Sequence, residues 1–166
     1  MLTKSQPWSH PRTDVAAWTE RARAAAAGLI GAKSDDMAIV GSVSHGMAIA
    51  ARNVTPPAGG RILRVADEFP SLCFAWDQLA AAHGLAVEVV ARPADGDWTS
   101  ALLAAIGRPG APPLAVATLT PLHWSDGAII DLDRAALAVH AAGAVLVVDA
   151  TQALSLIHIS RCRRRG

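Results

Sequence analysis

Asp149 is the residue of this chain best set to do chemistry. The apolar run Ala144-Val145-Leu146-Val147-Val148 ends in its carboxylate, and Ala150-Thr151-Gln152 follow. A largely β-branched run of this kind reads as a strand buried on both faces, as in parallel sheets. In open α/β sheets functional groups gather just past the carboxyl ends of strands. Asp149 therefore stands where a sheet delivers one negative charge to a cofactor or metal, although an Asp there also serves simply to open a loop or cap a helix. Three further stretches have comparable positions. Ser44-His45-Gly46 lies between a strand candidate and a helical stretch, so free amides and the helix dipole face a bound anion. Ser44 adds a hydroxyl there, or acts as an ordinary N-cap. Phe69, in Asp67-Glu68-Phe69-Pro70-Ser71, packs on a ring-shaped ligand or plugs the core. His123 and Asp126, in His123-Trp124-Ser125-Asp126-Gly127, have the chemistry of an acid/base pair, while a lone loop histidine is more often a surface residue. Together these groups suit a flat, phosphorylated, nitrogen-containing ring.

The elements that must position them follow from periodicity and turn chemistry. Thr13 or Asp14 caps a helix running to Ile30, with Val15, Trp18, Ala22, Ala25 and Leu29 at helical spacing and Gly31 as its stop. Met37–Val40 is a short strand, 41–46 a turn and Met47–Asn53 helical. Arg61–Val65 is a strand, and Pro70 and Ser71 open a helix that ends at Gly84. Leu85–Ala91 is a strand, Trp98–Ile106 a helix, Leu114–Leu119 a strand, and Leu132–Ala142 a helix stopped by Gly143. Strands alternating with helices predict βαβ units and an α/β fold with a mostly parallel sheet.

Bulk properties exclude several classes. At 166 residues, 52% hydrophobic and 17% charged, the chain has enough apolar material for a core and is not disordered. The net charge is +1, but Arg161, Arg163, Arg164 and Arg165 sit in the last twelve residues, which leaves −3 for the rest. A mildly acidic body argues against a nucleic-acid partner. No apolar run is long enough to span a bilayer, and the N-terminal stretch lacks a signal core. Cys73 and Cys162 have neither metal spacing nor a disulfide framework, so no metal site is expected and a cytoplasmic location is. Gly41 and Gly46 have the spacing of P-loop glycines, but Met47 and Ala48 stand where the Lys-Ser/Thr pair belongs. No G-x-G-x-x-G follows a strand.

From about Asp14 to Leu154 the sequence resembles the class V aminotransferase family of fold type I pyridoxal-phosphate enzymes. That group includes cysteine desulfurases, kynureninases and isopenicillin-epimerase-like proteins. Val147-Val148-Asp149-Ala150-Thr151-Gln152 is the most specific part. Asp67-Glu68-Phe69-Pro70-Ser71 with Trp76, and Trp124-Ser125-Asp126-Gly127 before Asp131-Leu132, occur in the family's order. The resemblance implies a three-layer α/β large domain and pyridoxal 5'-phosphate as cofactor. It implies an amino-acid substrate undergoing transamination, Cα epimerisation or lyase chemistry, and a homodimer. It further implies that Asp149 pairs with the protonated pyridine nitrogen and that Gln152 hydrogen-bonds the ring's phenolic oxygen or the bond to the amine. Phe69 would stack on the ring, the Val43 backbone and Ser44 would hold the phosphate, and Ser125 would approach the ring or substrate carboxylate. Phe69 with Pro70-Ser71 leans towards the kynureninase-like and epimerase-like members.

The departures from the family are equally specific. Its Schiff-base lysine lies downstream of the Asp-Ala-Thr-Gln stretch, whereas this chain has only Lys4 and Lys33. The expected organisation is a polar lead over residues 1–13 and a partial, truncated cofactor domain over 14–154. A tail over 155–166 resembles translated adaptor or vector sequence. The expectation is thus a fragment inactive as written, without a catalytic residue of its own. Its rivals are a non-catalytic α/β module for a phosphorylated ligand and a remnant that keeps a dimerisation surface.

Overall fold

The computed structural model describes Trp8 and residues 11–154. Expectations for the rest of the polar lead, for Lys4, for Cys162 and for the 155–166 tail lie outside the described residues. The chain divides into two compact units, Met1–Gly41 and Ser42–Gly166.

In the first unit, α1 (Arg12–Ile30) begins two or three residues earlier than the Thr13 or Asp14 cap predicts. Pro11 holds the N-cap position without a side-chain cap, since a fixed φ suits a helix entrance. Gly31 ends the helix in the left-handed conformation at φ 72°, as expected of a C-terminal glycine. The segment after it departs from the sequence reading. Met37–Val40 forms no strand among the described residues, and a 3-10 turn at Ser34–Asp36 precedes it. Backbone groups are already committed there: the Asp36 and Met37 amides donate to the Lys33 and Ser34 carbonyls. Arg23 of α1 donates to Ser34 O at 2.7 Å and Met37 O at 2.8 Å. One arginine thus takes the Met37 carbonyl, an acceptor a strand partner would need.

The second unit runs α2 (Val43–Arg52), β1 (Arg61–Val65), α3 (Ser71–His83), β2 (Ala86–Val90), α4 (Trp98–Ile106), β3 (Leu114–Leu119), α5 (Leu132–Ala141) and β4 (Val145–Val148). The four strands pair in parallel, in the order β2-β1-β3-β4. One face buries Ile62 and Val116 against Met47 and Ala51 of α2 and Leu72, Trp76 and Leu79 of α3. The other buries Leu63, Val65, Ala117 and Leu119 against Trp98 and Leu102 of α4 and Ala135 and Val139 of α5. The unit is the three-layer α/β arrangement the alternation predicts. Arg61, only 3% exposed, ties its lower edge together. Its guanidinium pairs with Glu88 at 2.7 Å and donates to the Pro112 and Ile106 carbonyls.

Burial corrects the reading of the Asp149 strand. The strand covered on both faces is β3, every residue of which is buried. β4 pairs only with β3 among the described residues, and Val145 and Val148 are 46% and 37% exposed. A continuous apolar run reports that a strand suits burial, not which position in the sheet it takes.

The strand order makes the site's location a matter of topology. The chain leaves β1 for β2 on one side and returns to β3 on the other. The loops after β1 and β3 therefore diverge, and they open a crevice at the carboxyl ends of the strands.

Candidate functional site

A cavity of ≈ 90 Å³ opens at those carboxyl ends. Val43 at the start of α2, Phe69 after β1, and Asp149 and Gln152 after β4 line it, with Glu68, Trp124 and Thr151 between them. Four of the six residues picked out in the sequence thus share one space. A wider groove of ≈ 840 Å³ lies around Pro57, Pro113 and Gly143, at the amino ends of the strands, and contains no titratable side chain.

Asp149 is 9% exposed, and its amide donates to Leu119 O at 2.9 Å, which pins the end of β4 to β3. Its Oδ1 accepts from the Thr151 amide at 2.9 Å and from the Thr151 hydroxyl. That is the loop-opening role an Asp adopts after a strand. It occupies one carboxylate oxygen and leaves Oδ2 without a hydrogen bond among the described residues. Asp149 therefore holds its turn and still presents an acceptor.

The start of α2 also departs from the sequence reading. The cap is Ser42, whose Oγ accepts from the His45 amide at 3.1 Å. Ser44 is in the first turn of the helix and exposed. With the His45 amide capped and the Gly46 amide bonded to Ser42 O, the amides of Val43 and Ser44 are the helix's unspent donors. These donors, at the positive end of the helix dipole, are what an anion would meet.

Phe69 is 49% exposed and meets Trp124 edge-on, with ring centroids 5.6 Å apart at 89°. The Trp124 indole donates to Asp67 O at 2.6 Å. Asp67 has φ 53°, a left-handed conformation rare outside glycine. His123 is fully buried, against the expectation of a surface residue. Its Nε2 faces Ala66 O at 3.0 Å and its Nδ1 faces Asp126 Oδ1 at 2.9 Å, while Trp98 lies against the ring at 4.8 Å. Both nitrogens are committed, so His123 ties the β1 and β3 loops together. Asp126 is held down to about 2, first by the Ala128 amide and further by the Trp98 indole and by His123. Ser125 is in the same network, accepting from Arg92 at 2.9 Å, and is not among the cavity walls.

Glu68 is the cavity residue that the sequence reading passed over. It is 8% exposed, and its Oε1 accepts from the Phe69 amide at 2.9 Å. Its Oε2 is buried with no hydrogen-bond partner among the described residues. Burial, with a contribution from Asp149, pushes the carboxyl up, although the Phe69 amide, His123 and Arg64 act in the opposite sense. The available signal was a second acid directly before the aromatic at a strand's end.

A family description, Aminotransferase class-V, matches residues 5–161. The chain belongs to that family. No curated protein sequence matches it. Among solved structures it is similar to the apo cysteine desulfurase of Thermococcus onnurineus NA1, with 23% identity and a TM-score of 0.71 over 85% of this chain. It is also similar to the cysteine desulfurase CsdA of Escherichia coli, at 23% identity and a TM-score of 0.69 over 84% of this chain. A third is the cystine C–S lyase C-DES in complex with its product cysteine persulfide, at 21% and 0.67 over 79%. Each likeness covers 35% of the other chain, so the 166 residues span about a third of these neighbours' length. At such identities the neighbours establish the fold, that of fold type I enzymes.

Proposed function

We propose that this class V aminotransferase chain carries a cofactor-holding portion of a pyridoxal-phosphate enzyme that acts on an amino acid. The observation that carries this reading is the open Oδ2 of Asp149, in one cavity with an aromatic wall and beside a helix start with two free amides. The residues fit the group by their chemistry. A buried carboxylate suits a protonated ring nitrogen, Phe69 offers a flat apolar face, and the Val43 and Ser44 amides suit a phosphate. Pyridoxal phosphate, when bound, supplies the electron sink for chemistry at an amino acid's Cα. Asp149 keeps the ring nitrogen protonated, and Gln152 is the cavity residue with an amide for the ring's polar edge. Trp124 and Phe69 would cover one face of the ring.

The lysine that would hold the cofactor covalently is not among these residues. Lys4 and Lys33 are the only lysines of the sequence, and Lys33, the one among the described residues, belongs to the Met1–Gly41 unit. We read the chain as binding the cofactor without turning over amino acids. Titration with pyridoxal phosphate and with inorganic phosphate tests this. Saturable binding with a clear preference for pyridoxal phosphate is expected, and borohydride should leave no adduct outside Lys4, Lys33 and the N-terminal amine. Equal affinity for the two would favour the simpler phosphate-binding module, which the free amides of α2 alone would explain. Turnover of an amino acid would overturn the inactive reading.

A further inference from the structure

Glu68 and Asp149 put two carboxyl groups in one cavity of ≈ 90 Å³, on loops that follow different strands. Their hydrogen bonding is unlike. Asp149 Oδ1 takes two donors, the amide and the hydroxyl of Thr151. Glu68 has one donor, the Phe69 amide, and a buried Oε2 with none among the described residues. An ionised oxygen without a donor in a buried position is the costliest form that side chain can take.

The cations nearby do not relieve it by direct contact. Arg64, on β1, donates to Cys73 Sγ at 3.2 Å and pairs with Asp77 at 3.6 Å. His123, in the β3 loop, has both nitrogens committed to Ala66 and Asp126. From α3, the Cys73 thiol meets the Glu68 backbone carbonyl at 3.8 Å and not the carboxyl. Arg64 and His123 therefore act on Glu68 only through space, opposed by burial and by Asp149.

We propose that Glu68 is a proton-exchanging partner of Asp149: it stays neutral while Asp149 carries the cavity's negative charge, and it releases its proton to solvent when a cationic, nitrogen-containing ring seats against Asp149. The balance is simple. The ring's positive charge offsets that of Asp149, the repulsion opposing Glu68 ionisation falls, the Glu68 O–H bond breaks, and the proton goes to buffer. The seating of a ring rests on the cofactor reading above, whereas the opposition of the two carboxyls does not.

Two measurements on the full chain separate these parts. Carboxyl carbon-13 NMR of the ligand-free protein should give Glu68 a titration midpoint above the ordinary glutamate range. That midpoint should move down in Asp149→Asn. Calorimetric titration with pyridoxal phosphate, in two buffers of different ionisation enthalpy, should show proton release that is lost in Glu68→Gln. A Glu68 midpoint indifferent to Asp149→Asn overturns the proposal. Equal proton release by the wild type and Glu68→Gln overturns the exchange step. A raised, Asp149-dependent midpoint without any binding of pyridoxal phosphate supports the carboxyl pair and overturns the cofactor reading together with the exchange it would drive.

Discussion

Replacing Asp149 by asparagine tests the centre of the site with little disturbance around it. The Asn side-chain oxygen can still accept from the Thr151 amide, now 2.9 Å from Asp149 Oδ1, so the turn after β4 survives. The amide of residue 149 still donates to Leu119 O. What is lost is one charge and the open Oδ2, the atom available to a ring nitrogen. Since Oδ1 is already engaged, the ligand gains one charge-assisted hydrogen bond here and not a bidentate pair. A hydrogen bond to a charged group contributes about 1.5–3 kcal/mol, so affinity for pyridoxal phosphate should fall roughly 10- to 150-fold. Trp124 lines the cavity, and quenching of its fluorescence reports binding directly. Inorganic phosphate, held by the start of α2 alone, should lose much less affinity. A loss below about threefold for pyridoxal phosphate, with the fold intact by circular dichroism, would refute the assignment of Asp149 as the ring's partner. An equal loss for both ligands would place the effect in the turn and not in the charge.

Other outcomes follow from the scaffold. A Cβ on Gly60 would sit 3.0 Å from Pro57 O and 3.1 Å from Pro113 O, both backbone atoms. Gly60→Ala should therefore cost about 1–3 kcal/mol, as overpacking does, and an undiminished midpoint in urea would contradict it. Asp126, held down to about 2 from 3.8, contributes stability that is present above its ordinary value and lost as pH falls towards 2. Melting temperature should thus drop more steeply for the wild type than for Asp126→Asn between about pH 4 and pH 2, and parallel curves would show that the network does not act through this charge. β4 presents an edge with no partner among the described residues, and Val145 is 46% exposed. Val145→Lys should reduce aggregation on concentration, measured by light scattering, while leaving stability within about 0.5 kcal/mol; unchanged aggregation would clear this edge of responsibility.

What the sequence made legible was whatever local chemistry decides. β1, α4 and β3 keep their expected bounds, because Gly, Pro and polar clusters punctuate each of them. The parallel sheet followed from alternation. Two of the failures share a different cause: they depended on a partner distant in sequence. Met37–Val40 has a strand's composition, but Arg23 takes carbonyls of the turn and of Met37. The cap is a separate case: Ser42 and Ser44 are equally good caps by type, and the helix takes Ser42, whose Oγ accepts from the His45 amide. His123 reads as a loop histidine until Ala66, fifty-seven residues away, accepts from its ring.

Glu68 shows why such partners decide function as well as fold. In the sequence it is one acid of an Asp-Glu pair, and Asp67 beside it is exposed enough to meet Arg92 in water. Two successive side chains point to different environments, and here the second enters the cavity while the first does not. The one local difference is that Glu68 directly precedes the aromatic. The distinction comes from the switch point between β1 and β3, which turns the chain at Asp67 into a left-handed conformation. His123 anchors the preceding Ala66 carbonyl and Trp124 the Asp67 carbonyl. The loop after β3 thereby sets the direction in which Glu68 and Phe69 leave β1. By this argument the His-Trp-Ser-Asp stretch is the brace that aims the acid and the aromatic at Asp149, and its own acid/base groups are consumed in doing so.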